Sequence, residues 1–278
     1  MMQTLFKRKH ELFLALIFGS FSLKDDKLYE ILYDFAMIEY RHLNWLGTHL
    51  AQEKIEFNYD RDGVDFIADT SKELLLKLKT QVEDMKSNYA DSDDVMFKRF
   101  TTDEEYFIQK IEYILDSNFQ DKPITAYDKN RVLEDYDLDK TSTNALTIFL
   151  LEETYKEYEL IMTYTYVNFF TDSKVLSNIF IDLTYESFFH LKSFARMLSK
   201  MGILYMPRVI MQDIYQFDDL SKFLVDGIKE EEMAKIECLK LSQAVENEEL
   251  SNFFNFINFQ ENYHIELMQK ALKHLKEN

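Results

Sequence analysis

The sequence predicts an all-α chain built as two tandem four-helix units. Three observations carry that reading. Only 5 Gly and 2 Pro occur in 278 residues, far fewer than the turns of a sheet-rich fold consume. Apolar residues recur with a helical period in eight long stretches. The one long aperiodic segment, charged residues 120–144 around Pro123, divides those stretches four and four.

The first unit is expected to contain helices over 3–23, 26–54, 65–87 and 103–118. Asp25 reads as the N-cap of the second, and Thr102 or Asp103 as that of the fourth. A smaller break falls at Asp60-Arg61-Asp62-Gly63. The second unit is expected to contain helices over 143–171, 174–201, 219–246 and 249–276, with Ser173 capping its second helix and Gly202 and Pro207 in its main break. The expected boundaries are 1–118, a linker over 119–142, and 143–278.

Lys7-Arg8-Lys9-His10 followed by Leu12 to Phe18 imitates the basic and apolar regions of a signal peptide. Glu11 opens that apolar stretch, however, and no small-x-small cleavage site follows cleanly, so a cytoplasmic location is expected. No apolar run reaches the roughly 20 residues of a membrane span. The net charge of −18 argues against nucleic acid or an anionic membrane as the main partner. Cys238 is the single cysteine. That excludes an intrachain disulfide framework and fits a reducing compartment; on an apolar helix side, the thiol is expected to be buried and inert.

The four-and-four pattern prompts a search for an internal repeat. A shift of 148 places Glu11-Leu12 on Glu159-Leu160, Asp34 on Asp182, and His42-Leu43 on His190-Leu191. A shift of 157 places Lys72-Glu73 on Lys229-Glu230, Glu104 on Glu261, and Tyr106 on Tyr263. The residues that recur are glutamates and a histidine at apolar-face positions.

Two spacings concentrate the chemistry. Glu39 and His42 form a Glu-x-x-His, and so do Glu261 and His264. Positions three apart share a helix face, so a carboxylate and an imidazole converge. In a Glu-rich helical chain one such motif is ordinarily a solvated face. Register argues otherwise: Glu11 and Glu39, Glu73 and Glu104, and Glu230 and Glu261 are each centred on an expected turn, which sets each pair level. Glu159 lies level with Glu186 and His190 about a turn at Asp172-Ser173. Carboxylates among apolar residues such as Phe253-Phe254 and Phe256-Ile257 need a partner, and a metal ion is one.

On these residues the chain resembles the ferritin-like superfamily, the group holding bacterioferritin, rubrerythrin and related di-iron oxidases. The resemblance covers nearly the whole chain, as two tandem four-helix bundles related by internal duplication. It implies a di-iron or di-manganese carboxylate site with two iron ions per active unit, manganese being the alternative, and chemistry with O2 or peroxide. The implied metal ligands of the second unit are Glu159, Glu186, His190, Glu230, Glu261 and His264. Glu186 and His190 are four apart where the family pattern has three; a π-bulge would restore convergence. Glu153 and Asp182 are spare acids nearby, and only the 31-residue spacing to Glu261 selects Glu230 from Glu230-Glu231-Glu232.

The first unit offers Glu11, Glu39, His42, Glu73 and Glu104, but Phe107 stands where the second unit has His264. The second site is therefore expected to be the active one and the first empty, singly occupied or structural. Trp45 is expected in the core, and His10, His49 and His274 at the surface. Tyr40, Tyr185 and Tyr263 are expected near the sites. The functional expectation is an oxidoreductase: a ferroxidase, a peroxidase or a small-molecule oxygenase. Its partners would be O2 or peroxide with an organic substrate or electron donor, and a homodimer is open. The alternatives are non-catalytic iron binding and a degenerate ferritin-like interaction protein.

Overall fold

A computed structural model describes residues 2–124 and 131–277; residues 125–130, inside the expected linker, lie outside the described residues. Every regular element among them is a helix, apart from one isolated bridge between Thr70 and Pro123. The chain divides into two compact units. The first takes in the chain up to Asp128 together with Gly202–Val209, and the second takes in the remainder.

The first unit comprises α1 (Met2–Phe21), α2 (Asp26–Gln52), α3 (Ser71–Lys86) and α4 (Val95–Asp116). Helix α1 packs on α2 and α3, and α4 packs on both of those, so the four close a ring. All side chains from Leu12 to Phe18 are buried. Burying each large apolar side chain contributes about 1.5–3 kcal/mol. This explains the resemblance to a signal peptide: α1 is apolar because protein surrounds it. Gly19 permits the close approach of α3, since a Cβ there would meet Leu78 Cδ1 at 3.3 Å.

The second unit comprises α5 (Lys140–Phe170), α6 (Lys174–Lys200), the single turn α7 (Gln212–Tyr215), α8 (Leu220–Ala244) and α9 (Glu248–Glu277). Helix α5 packs on α6 and α8, α9 packs on α6 and α8, and α7 lies on α5. Among the described residues, no helix is long and apolar enough to cross a membrane.

Side-chain caps fix several starts. Asp25 caps α2, accepting from the Leu28 N–H, and Ser173 caps α6, accepting from the Leu176 N–H. The start of α4 differs from expectation. Asp94 caps it, eight residues before Thr102, and the Thr101 and Thr102 hydroxyls donate back to the Phe97 and Lys98 carbonyls inside the helix. Helix α3 starts at Ser71 rather than 65, and residues 55–68 carry no helix. The domain boundary differs as well. Residues 202–209 belong to the first unit, where the Tyr205 ring lies 5.2 Å from Phe18 and the Pro207 carbonyl accepts from Arg61 at 2.7 Å.

Candidate metal centre

Four long helices of the second unit each send acid into its interior. Helix α5 contributes Glu157, α6 Glu186 and His190, α8 Glu231, and α9 Glu261 and His264; all but Glu186 are buried. His190 Nδ1 lies 2.9 Å from Glu157 Oε1 and 3.9 Å from Glu261 Oε1. His264 Nδ1 lies 3.0 Å from Glu261 Oε2 and 3.4 Å from Glu231 Oε1, and its Nε2 lies 3.8 Å from Glu186 Oε2. Two three-residue sets result, Glu186–His190–His264 and Glu231–Glu261–His264. Within each set, one ligand atom per residue lies within 4.8 Å of the others. Gln260 ties the first set together: its Oε1 lies 3.2 Å from His190 Nε2, and its Nε2 donates to Glu186 Oε2 at 3.0 Å. Helix α6 runs through Glu186 and His190 as regular α-helix, so the four-residue spacing converges without the expected π-bulge.

Three buried atoms here make no aligned hydrogen bond: Glu157 Oε2, Glu261 Oε2 and His264 Nε2. Buried polar atoms left this way are costly. The electrostatics are also strained. Burial pushes the Glu261 carboxyl up to about 8. Burial works against charge on the imidazoles too, but the surrounding carboxylates outweigh it, raising His190 to about 9 and His264 to about 12. Burial opposes charge on Glu231, yet His264 holds it below the usual carboxylate range. Without another cation, imidazolium protons balance the acids. Metal ions would displace those protons and give the lone pairs ligands to bind. Four carboxylates and two imidazoles fit two borderline divalent cations.

The first unit places a different cation in the matching environment. Lys9, with 0% of its side chain exposed, donates from Nζ to Glu39 Oε2 at 2.7 Å and Glu104 Oε1 at 2.5 Å. The same Nζ lies 3.2 Å from His42 Nδ1 and 4.8 Å from the Phe100 ring centroid. Glu39, His42 and Glu104 form a compact triad there. His42 Nε2 faces Asp103 Oδ2 at 3.0 Å, and Arg41 and Arg99 hold that carboxylate. The buried Tyr89 hydroxyl donates to Glu104. Burial pushes Glu104 up to about 7; burial likewise opposes charge on Glu39, but Lys9 outweighs it and holds Glu39 at about 2. One ammonium shared by two carboxylates neutralises one of them fully. The residues present do not fit a two-metal centre: a side-chain cation lies inside the triad, and buried Phe107 and Leu74 stand at the offsets of His264 and Glu231.

Several expected ligands lie elsewhere. Glu159 is half-buried and in neither three-residue set, while Glu157, half a turn away, touches His190. Glu230 is exposed; Glu231, one residue on, enters the site. Glu11 accepts the backbone N–H groups of Asp62 and Gly63. Glu73 is exposed and ties down the start of α3: Thr70 Oγ1 accepts its N–H, and its Oε2 accepts from the N–H of Asp69, just before the N-cap, at 2.8 Å. Its 31-residue spacing to Glu104 therefore reflects a helix start. Glu186, His190, Glu261 and His264 do converge, as do Glu39, His42 and Glu104. Of the spare acids, Glu153 is buried and paired with Lys156, and Asp182 accepts from Tyr263.

Trp45 and His10 depart from expectation, while His49 and Cys238 meet it. Trp45 is 38% exposed and stacks on Phe100. His10 is fully buried, with burial lowering its pKa to about 3. His49 is exposed and His274 half-buried against Ser173. Tyr185 is exposed and Tyr40 packs on Phe13, while Tyr263 reaches the α6–α9 groove. Cys238 is buried, which pushes its thiol up. Lys9, Tyr89, Asp103, Glu157 and Gln260 are site residues the sequence reading missed, and Glu231 is one it left open within Glu230-Glu231-Glu232. A signal existed for two of them, because the 148-residue shift sets Lys9 on Glu157. No protein-family model, no curated protein and no solved structure matches this chain.

Proposed function

We propose that the second unit holds two metal ions, iron or manganese, and that the protein is a di-metal carboxylate oxidoreductase acting with O2 or peroxide. The ligands would be Glu157, Glu186, His190, Glu231, Glu261 and His264. The supporting observation is the convergence of these six side chains from four helices, three with a buried atom that makes no aligned hydrogen bond. The two units would descend from one ferritin-like bundle by duplication, the first having exchanged its metal for Lys9.

Bound iron or manganese would supply the electron transfer to O2 or peroxide. The chain's own residues do the rest. Burial of Glu157, His190, Glu231, Glu261 and His264 keeps bulk water from the cluster. His190 and His264 would give up their imidazolium protons for cations to bind, and Gln260 fixes His190 and Glu186 relative to each other.

The raised imidazole pKa values favour one competing reading, in which imidazolium pairs the acids and the unit is a metal-free scaffold. Metal analysis of the purified protein, reloaded anaerobically with ferrous iron and then exposed to air, separates the readings. About two metals per chain with oxygen consumption supports the proposal. Metal retained without consumption indicates iron binding alone, and no retained metal overturns the centre.

A further inference from the structure

A depression of about 390 Å³ opens beside the cluster between α6 and α9. Phe256, Phe259 and Tyr263 rim it, and Glu186, Gln260, Asn262 and Glu266 complete the wall. Its only charged lining residues are Glu186 and Glu266. The Phe259 side chain is 72% exposed, and Phe256, Tyr263 and neighbouring Phe189 are also exposed. Exposed rings clustered about a concavity mark a binding surface more often than an inert one. Beyond Tyr263 lies a second depression, lined by Asp182, Glu266 and Lys270; Asp182 accepts from the Tyr263 hydroxyl at 3.2 Å. That bond leaves the Tyr263 ring richer in electrons.

The wall leads inward. Glu186 Oε2, part of the lining, lies 3.8 Å from His264 Nε2, a nearly fully buried nitrogen with no hydrogen-bond partner. A molecule seated in the depression therefore rests against the proposed centre.

We propose that this groove takes a small organic cation, an ammonium group carried on an apolar body, as the substrate class of the centre. The inference rests on the di-metal reading for its role as substrate, but not for its binding. Ring faces attract cations. Even with Glu186 committed to a metal, Glu266 leaves the rim acidic, and the chain's net charge of −18 repels organic anions. The apolar body rests on Phe256 and Phe259.

The test is calorimetric titration of the full-length, metal-loaded protein with benzyltrimethylammonium, which has no lone pair for a metal. Benzoate and benzyl alcohol are the comparison probes, and metal content is measured on the same samples. The ammonium should bind at least about tenfold more tightly than either comparison probe. Phe259→Ala and Glu266→Gln, both outside the cluster, should each weaken it by about threefold to tenfold without changing metal content. Equal binding of benzoate or benzyl alcohol, or indifference to both substitutions, overturns the proposal. Retained metal with no ammonium binding refutes the groove alone. Ammonium binding with that selectivity in a protein that retains no metal refutes the centre and leaves the groove standing.

Discussion

The two units balance buried carboxylates with different cations. In the first, Lys9 lies among Glu39, His42 and Glu104, covalently attached and fully enclosed. In the second, the position 148 residues later is Glu157, an acid on His190. Exchanging an ammonium for a carboxylate changes the local charge by two and removes the internal counter-ion. Phe107 and Leu74 give way, at the 157-residue shift, to His264 and Glu231. One cluster is thus neutralised by a lysine ammonium, and the other depends on imidazolium protons or an added cation. The comparison teaches that a buried Glu and Glu-x-x-His can enclose a lysine ammonium as readily as they could a metal; on the proposed reading, the residue facing them decides between the two.

The strongest way to break this contrast is to remove one imidazole from each unit. His264→Ala should lower oxygen or peroxide consumption by about two orders of magnitude or more, while His42→Ala, assayed where it remains folded, should cost less than about twofold. Steady-state oxygen uptake with metal analysis reads both. Loss in the His42 variant with retention in the His264 variant would reverse the assignment. Glu157→Lys is the next test, since it gives the second unit the first unit's solution. Metal content should fall from about two per chain to about one or fewer, with the fold retained by circular dichroism. Unchanged stoichiometry would show that position 157 does not decide occupancy.

Lys9→Ala sharpens the comparison from the other side. It leaves two buried carboxylates sharing no cation, which should destabilise the protein by about 3–5 kcal/mol in chemical denaturation. Manganese or zinc should then recover part of that loss through Glu39, His42 and Glu104, because binding to the folded state alone stabilises it. Adding Glu104→Ala should abolish the recovery. Recovery that persists in the double variant would place the added metal elsewhere.

Much of the fold was legible because long helices advertise themselves by period and caps. The helices over 26–52, 140–170 and 174–200 begin and end within a few residues of expectation. The site was legible where the halves agree and illegible where they differ. A repeat search weights identity, so it selected Glu11 with Glu159 and Glu73 with Glu230. Glu11 and Glu73 turn out to hold a loop and a helix start, Glu230 is exposed, and Glu159 belongs to neither three-residue set. The functional contrast lies in mismatched columns, Lys9 against Glu157 and Leu74 against Glu231, which identity discards. A one-residue choice within Glu230-Glu231-Glu232 also turns a side chain by about 100°, more than periodicity alone resolves in a helix whose apolar face is broken by acids.

The smallest expected effect concerns pH, and it belongs to the first unit alone. In the folded protein the Glu39 carboxyl lies at about 2, below its ordinary 4.5, because Lys9 outweighs the cost of burial. A depressed carboxyl contributes stability that is present above pH 4.5 and lost as pH falls toward 2. Glu104 has the opposite sign. Burial raises it to about 7, so its contribution is present below pH 4.5 and lost as pH rises to 7. The Lys9 cluster should therefore stabilise the first unit most near pH 4.5. The check is urea denaturation of wild type, Glu39→Gln and Glu104→Gln across pH 2–8, read as differences so that other carboxylates cancel. Glu39→Gln should remove a rise of about 2–3 kcal/mol between pH 2 and 4.5. Glu104→Gln should flatten a decline between pH 4.5 and 7. If both variants track wild type at every pH, the ammonium does not hold these two acids in different states.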